Sequence, residues 1–390
     1  MSQDCVHGGF EASHAARPLT EPLVQSTTYK WHGIDDRPTY SYAREGNPTV
    51  AALERRLAAL EGGGAAVCFA SGLAAIDALY RLVPDGGRLL IARHLYGGST
   101  RLAKEVHGGR IHVEEFDSTD PAAVEHALAT PADLVLVETP SNPTLRITDL
   151  RHVIDVGHRA GALVAVDNTF LTPLWQQPLQ LGADVSVHST TKYLDGHDAT
   201  LGGAIVTREG SDGLPEQHGD LAARLRWLRL ATGAVLGPFE AWLTLQGCKT
   251  LHLRTRQQWA SATALAHAAV DHPAVQEVHH PGAPDHPGQD IHRQQATGDG
   301  GILALELGSL EAAARFVKAL RVFQLAENLG ATESLASSPA LMTHAALGPQ
   351  GRAKAGISDG LVRLSCGVEP TEDLVADVLA ALDAIVEVLA

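Results

Sequence analysis

Apolar and polar positions along the chain fall into two alternating patterns. Short runs apolar on successive residues, AAVCFA, RLLIA, IHVEEF, ADLVLVETP, ALVAVDNTF, ADVSVHSTT and GGAIVT, fill residues 65–207. Such runs suit strands covered on both faces. Between them lie stretches with helical spacing, including SGLAAIDALYRLV, STRLAKEVHGG, DPAAVEHALA and DLRHVIDVGHRAG. Strand and helix in strict alternation predict a mostly parallel sheet wrapped by helices. Ahead of it, TVAALERRLAALEGG sets Val50, Leu53, Leu57 and Leu60 on one face and stops at glycines, as a capped helix does.

Residues 1–48 show no sustained period and are rich in Pro, Gly, Thr and His, which suits an arm that leans on another surface. Residues 49–238 hold the alternating pattern, and residues 239–390 a second, smaller α+β pattern. The second begins with a helix over about 238–270 and passes a turn-rich stretch at 279–301. It continues through ILALELG, SLEAAARFVKALRV and DGLVRLSCGVE. A final helix follows, with Thr371 as its N-cap and Glu372 and Asp373 in the first turn.

The 390 residues are 45% apolar and 19% charged, which is globular composition. With 30 Lys+Arg against 45 Asp+Glu the formal net charge is −15, so nucleic acid and anionic membranes are poor partners. No apolar run reaches the roughly 18 residues of a membrane span. The opening MSQDCVHGGF lacks the order of a secretory signal. Four well-separated cysteines form no CxxC pair, so reduced thiols in a cytoplasmic protein are expected. The histidines between 272 and 292 lack the spacing of a zinc site, and Trp227, Trp242 and Trp259 are expected to pack.

Chemistry should gather beyond the carboxyl ends of the strands. One run ends in Thr139-Pro140-Ser141-Asn142-Pro143, the next in Asp167-Asn168-Thr169, a third in His188-Ser189-Thr190-Thr191-Lys192. Ser71 and Gly72 open a helix whose N-terminus favours phosphate. A lysine, a carboxylate, hydroxyls and a helix N-terminus together describe a holder for pyridoxal phosphate. No G-x-G-x-x-G opens a helix after the first strand, which disfavours a Rossmann dehydrogenase.

With EPLVQSTTY, YSYAREGNPT, SGLAAI, LYGGST, ETPSNPT, VDNTF, HSTTKYLDGH and ENLGATESLASSPALMTH in order, the chain resembles the Cys/Met-metabolism family of pyridoxal-phosphate enzymes. That family includes cystathionine γ-lyases, β-lyases and γ-synthases and methionine γ-lyases. The resemblance implies an α/β protein of fold type I, aspartate-aminotransferase-like, with a smaller α+β C-terminal domain. It implies Lys192 as the lysine that joins the cofactor, Asp167 as partner of the ring nitrogen, and Ser189, Thr191 and the amides of Gly72 and Leu73 as phosphate ligands. Tyr96 would stack on the ring and assist proton transfer, and Asn142 would meet the ring oxygen side and the substrate. Arg363 would clamp the substrate carboxylate, Ser334 would help position lysine and substrate, and Glu333 would meet a distal ammonium. Tyr42 and Arg44 would reach the phosphate of a neighbouring subunit, in dimers paired into a homotetramer.

Ala43 departs from the usual Ser or Thr, and IARHLYGG lacks the acidic residues that often precede the tyrosine. Gly98 stands where methionine γ-lyases usually carry cysteine. The expected activity is γ-elimination on a sulfur amino acid, cystathionine to cysteine, 2-oxobutanoate and ammonia. Alternatives are γ-replacement on an O-acyl-homoserine, methionine or homocysteine cleavage, and a non-catalytic cofactor-binding protein.

Overall fold

The structure, a computed structural model, describes residues 2–9, 18–210 and 220–389. Residues 10–17 of the expected arm lie outside the described residues. Seven strands make the large sheet: β1 (Ala65–Phe69), β2 (Arg88–Ala92), β3 (His112–Phe116), β4 (Leu134–Glu138), β5 (Leu163–Asp167), β6 (Val185–Ser189) and β7 (Gly203–Thr207). Their order is β1-β7-β6-β5-β4-β2-β3, with only β7 running against its neighbours. Every residue of β4 is buried, as its unbroken apolar run requires.

The helix Pro48–Glu61 starts where the Asn47 side chain accepts from the N–H of Thr49 at 2.8 Å. It ends at Gly62, whose φ of 63° is the left-handed conformation that glycine adopts freely. Leu53, Leu57 and Leu60 are wholly buried, as their spacing predicts.

Five further strands, β8 (Glu277–His279), β9 (Ile302–Glu306), β10 (Gln324–Leu325), β11 (Leu335–Ser337) and β12 (Leu361–Ser365), form a second sheet ordered β10-β11-β12-β9-β8. The helices Leu310–Ala319 and Thr371–Leu389 pack with it through Phe316, Leu374, Val378 and Leu382. A 32-residue helix, Pro238–Ala269, joins the two cores. Ala241, Leu245 and Leu251 pack into one core, and Ala262, Leu265 and Ala269 into the other.

Several local features differ from the sequence reading. The strands β8, β10 and β11 have three residues or fewer and are too short to show a period. The turn-rich stretch holds a helix, Gln289–Gln295, and the arm holds another, Ser2–His7. The helix Leu221–Thr232 is also new; it buries Leu221, Leu225 and Leu228. The helix expected after LYGG widens into a π-turn over Leu102–His107. Thr371 begins the last helix and is not its cap, because its hydroxyl is turned to Ser261 at 2.8 Å. Trp227 does not pack inside; it is 51% exposed, with Arg224 stacked on its ring. Trp259, by contrast, packs edge-on against Trp175 and bonds Asp299 at 3.0 Å.

Candidate active site

A cavity of about 520 Å³ opens beyond the carboxyl ends of β4, β5 and β6 and reaches across to β12. Of the expected residues, it brings together Gly72, Leu73, Tyr96, Asn142, Asp167, Ser189, Thr191, Lys192 and Arg363.

Glu138 and Asp167 are register partners at the ends of adjacent strands, so two carboxyl groups stand side by side. The Asp167 carboxylate accepts from the N–H of Thr169 at 3.1 Å and from its hydroxyl at 2.6 Å. That hydroxyl oxygen accepts in turn from the N–H of Ser189 at 2.9 Å, linking β5 to β6. Burial raises the pKa of Asp167, and the Thr169 hydrogen bonds and His188 oppose the rise. Burial and then the charge of Asp167 push Glu138 well above the usual carboxylate range. A Glu138 oxygen accepts the N–H of Tyr96 at 2.8 Å.

Lys192 follows β6 by three residues, its side chain largely buried. Its Nζ donates to Oδ1 of Asn328, and Nδ2 of Asn328 donates to Asp198. Burial, then the charge of Arg363, lowers the lysine pKa to about 8, with Asp198 partly offsetting both. An amine poised this way is neutral, and so nucleophilic, in a substantial fraction of molecules near neutral pH.

Ser71 caps the helix Gly72–Tyr80, its hydroxyl accepting from the N–H of Ala74 at 3.1 Å. The amides of Gly72 and Leu73 open the first turn, where helical geometry leaves N–H groups without carbonyl partners. A Cβ on Gly72 would lie 3.0 Å from Cβ of Ser189, so glycine lets the helix end and Ser189 stand together. The Thr191 hydroxyl also faces the cavity, but it donates to the carbonyl of Gly202 at 3.2 Å.

Arg363, on β12, is 3% exposed. One of its Nη atoms donates to Oδ1 of Asn142 at 3.0 Å and the other to the carbonyl of Asn328 at 3.1 Å. Its Nε is buried without a partner, and no ion pair among the described residues neutralises it. Burial lowers its pKa to about 10. A buried cation with an idle donor at a cavity wall suits an anionic ligand.

Other expected residues lie elsewhere. Ser334 is buried away from the cavity wall, its hydroxyl donating to Glu369 at 2.8 Å and accepting the N–H of Gly367 at 2.8 Å. Glu333 is exposed and accepts from the hydroxyl of Thr332 at 2.8 Å. Tyr42 and Arg44 stack on each other at the surface, and Arg44 donates to the carbonyl of Leu230 at 3.0 Å. Glu138, Thr169 and Asn328 are site residues that the sequence reading did not single out. A lone carboxyl ending the apolar run LVLV was a signal for Glu138; Asn328 had none beyond its place in the ENLGATES block.

These groups fit pyridoxal phosphate. They supply a lysine of lowered pKa, a buried carboxylate at the end of the neighbouring strand, a helix end crowded against a serine, and a guanidinium with an idle Nε. The fold and cavity define a pyridoxal-phosphate enzyme of fold type I. The chain belongs to the Cys/Met metabolism PLP-dependent enzyme family, whose model matches residues 2–383. It is 40% identical to a cystathionine gamma-lyase of Bacillus subtilis over 380 residues, covering 97% of this chain and 98% of the relative. It is also 40% identical to a cystathionine gamma-synthase of Mycobacterium bovis, covering 97% and 95%. Among solved structures, the cystathionine gamma synthase of Xanthomonas oryzae in complex with cystathionine superposes with a TM-score of 0.94 at 42% identity, covering 99% and 98%.

Proposed function

We propose that the protein cleaves the Cγ–S bond of cystathionine, giving cysteine, 2-oxobutanoate and ammonia. The observation that carries this reading is the joint placement of a depressed Lys192 and an unpaired, buried Arg363 in one cavity. Bound pyridoxal phosphate supplies an electron sink for negative charge developing at the substrate Cα. Asp167 holds the ring nitrogen, and Ser189 with the amides of Gly72 and Leu73 holds the phosphate. Thr191 joins them once its hydroxyl leaves the carbonyl of Gly202.

Arg363, with Asn142 beside it, grips the α-carboxylate and so fixes which Cα bond faces Lys192. The amine of Lys192 would take the Cα proton and pass it on through Tyr96, then take a second proton from Cβ, and the phenol would deliver a proton to the γ-sulfur as cysteine leaves. Tyr96, 39% exposed and lining the same cavity, would exchange protons with the leaving sulfur or with Lys192. Met342 and Thr343 close the same wall. Ser334 acts on the lysine and substrate only through the loop it shares with Glu333, and Glu333 meets a distal ammonium only if that loop turns inward.

A specific observation favours a second reading, γ-replacement on an O-acyl-homoserine by cysteine: the 42% identity to the Xanthomonas oryzae γ-synthase. Methionine γ-elimination is disfavoured by Gly98, which stands where methionine γ-lyases usually carry cysteine. A purely cofactor-carrying role would leave Arg363, a buried cation at the cavity wall, without a use. The test is product analysis with cystathionine alone and with an O-acyl-homoserine plus cysteine. Release of 2-oxobutanoate from cystathionine faster than condensation supports the lyase; the reverse order overturns it in favour of the synthase.

The same reading divides the chain at 48 and 238 and places the enzyme in the cytoplasm as a homotetramer. Leu19 and Ile34, 96% and 99% exposed on the arm, suit a surface covered by a neighbouring subunit, whose phosphate site Tyr42 and Arg44 would then complete. Among the described residues no helix is long and apolar enough to cross a membrane.

A further inference from the structure

The bond between Glu138 and Tyr96 begins where the strand ladder ends. Register pairing of β2 with β4 stops at Ile91 and Leu136. Beyond it the chain leaving β2 turns toward Tyr96, and Glu138 closes β4. The Glu138 carboxyl spans the gap, accepting the N–H of Tyr96 at 2.8 Å, a good hydrogen-bond length. Glu138 is 6% exposed and lines the same cavity as Tyr96.

Tyr96 has little else to hold it. Among the described residues no hydrogen bond fixes its phenol. Its side chain caps nothing at the start of the short helix Gly97–Arg101. Its carbonyl accepts from the N–H of Ser99 at 2.9 Å, and the buried Tyr80 hydroxyl donates to the carbonyl of Ser99 at 3.2 Å, which pins the turn after it. The ring lies so close over Gly98 that a Cβ there would collide with it. Where the ring stands is therefore decided by the backbone, and the N–H of Tyr96 is held by Glu138 alone.

Burial and the charge of Asp167 favour the neutral form of Glu138. A neutral carboxyl presents a carbonyl oxygen to the N–H much as an amide does. We propose that Glu138 is a positioning residue for Tyr96, holding its backbone N–H so that the phenol keeps its place in the cavity. The proposal rests on the reading of Tyr96 as the phenol that exchanges protons.

The experiment compares Glu138→Gln, which keeps an acceptor of the same reach, with Glu138→Met, which removes it. Turnover is followed on whichever of cystathionine cleavage and O-acyl-homoserine condensation the parent performs faster. Visible circular dichroism of the holoenzyme reports the surroundings of the bound cofactor, and far-UV circular dichroism checks the fold. Glu138→Met is expected to lower kcat about tenfold to a hundredfold with KM within about threefold, and to change the visible signal. Glu138→Gln should recover most of both. In a Tyr96→Phe background the Glu138→Met change should cost less than about threefold more, because the group it positions is gone.

A folded Glu138→Met protein with parent kcat and parent visible signal overturns the proposal, as do losses that multiply in the double variant. So does a Glu138→Gln protein as slow as Glu138→Met. A loss confined to KM also overturns it, routing the effect through Asn142, whose N–H acts on the same carboxyl. Should Glu138→Met fail to fold, Glu138→Asp, one methylene short of the N–H, takes its place. Tyr96→Phe alone separates the two readings. If it is slow while Glu138→Met is not, the positioning fails and the role of Tyr96 stands; if it turns over like the parent, the role of Tyr96 fails and the positioning with it.

Discussion

Replacing Arg363 by methionine should remove the substrate clamp and, through the same atoms, retune Lys192. The guanidinium offers a substrate carboxylate two charge-assisted hydrogen bonds, each worth about 1.5–3 kcal/mol. Losing both should lower kcat/KM by roughly a hundredfold to ten-thousandfold. The amide oxygen of Asn142 and the carbonyl of Asn328 would lose their donors at the same time, so some stability should go too. The charge of Arg363 is, after burial, the main influence holding the Lys192 pKa at about 8. Without it that pKa rises, the neutral amine becomes scarcer at a given pH, and cofactor uptake by the cofactor-free protein should reach half its maximal rate at a higher pH. Arg363→Lys separates the two effects: it keeps a cation but not the planar fork, so kcat/KM should fall while the uptake profile stays near the parent's. The assays are steady-state kinetics on cystathionine and stopped-flow absorbance of uptake from pH 6.5 to 10. A folded Arg363→Met protein with kcat/KM within about threefold of the parent would refute the clamp. An unmoved uptake profile in that variant would refute the coupling.

Lys192→Met should abolish turnover. Because the folded protein holds Lys192 at about 8 and the unfolded chain holds lysine at about 10.4, the unfolded state binds more protons in that interval, and the cofactor-free parent should gain stability as pH rises through it. Urea denaturation at pH 7.5, 8.5 and 9.5 should show a flatter trend in the methionine variant; equal slopes would count against the depressed lysine. Gly98→Ala must displace the Tyr96 ring, which its Cβ would meet at 2.4 Å, so kcat should drop more than about tenfold, and a parent-like kcat would remove Tyr96 from the reaction. Arg44→Ala should weaken cofactor retention if neighbouring subunits share the site. Unchanged retention in an assembled protein would deny that sharing.

Much of the large sheet could be read from sequence because LVLVE and LVAVD lie in strands covered on both faces, where nothing interrupts the apolar run. The cavity was legible for a related reason: polar residues begin where those runs stop, and parallel strands stop at one edge. Asn328 escaped notice because its contact with Lys192 depends on how the second sheet docks, a relation no local period encodes. Ser334 and Glu333 lie off the cavity wall. Their motif suggests the cavity, yet Glu369 takes the serine and the glutamate faces outward. Short strands such as β10, with two exposed residues, take their conformation from β11 and not from their own sequence.

The four cysteines, Cys5, Cys68, Cys248 and Cys366, are all buried and unpaired. Burial pushes the Cys248 thiol up to about 12 and raises Cys68 and Cys366 as well. Mixed-disulfide formation needs an accessible thiolate, and none of these sulfurs supplies one. A catalyst bathed in sulfur amino acids thereby escapes capping by the very molecules it handles, and oxidative stress in the cell should reach its reactants well before its own scaffold.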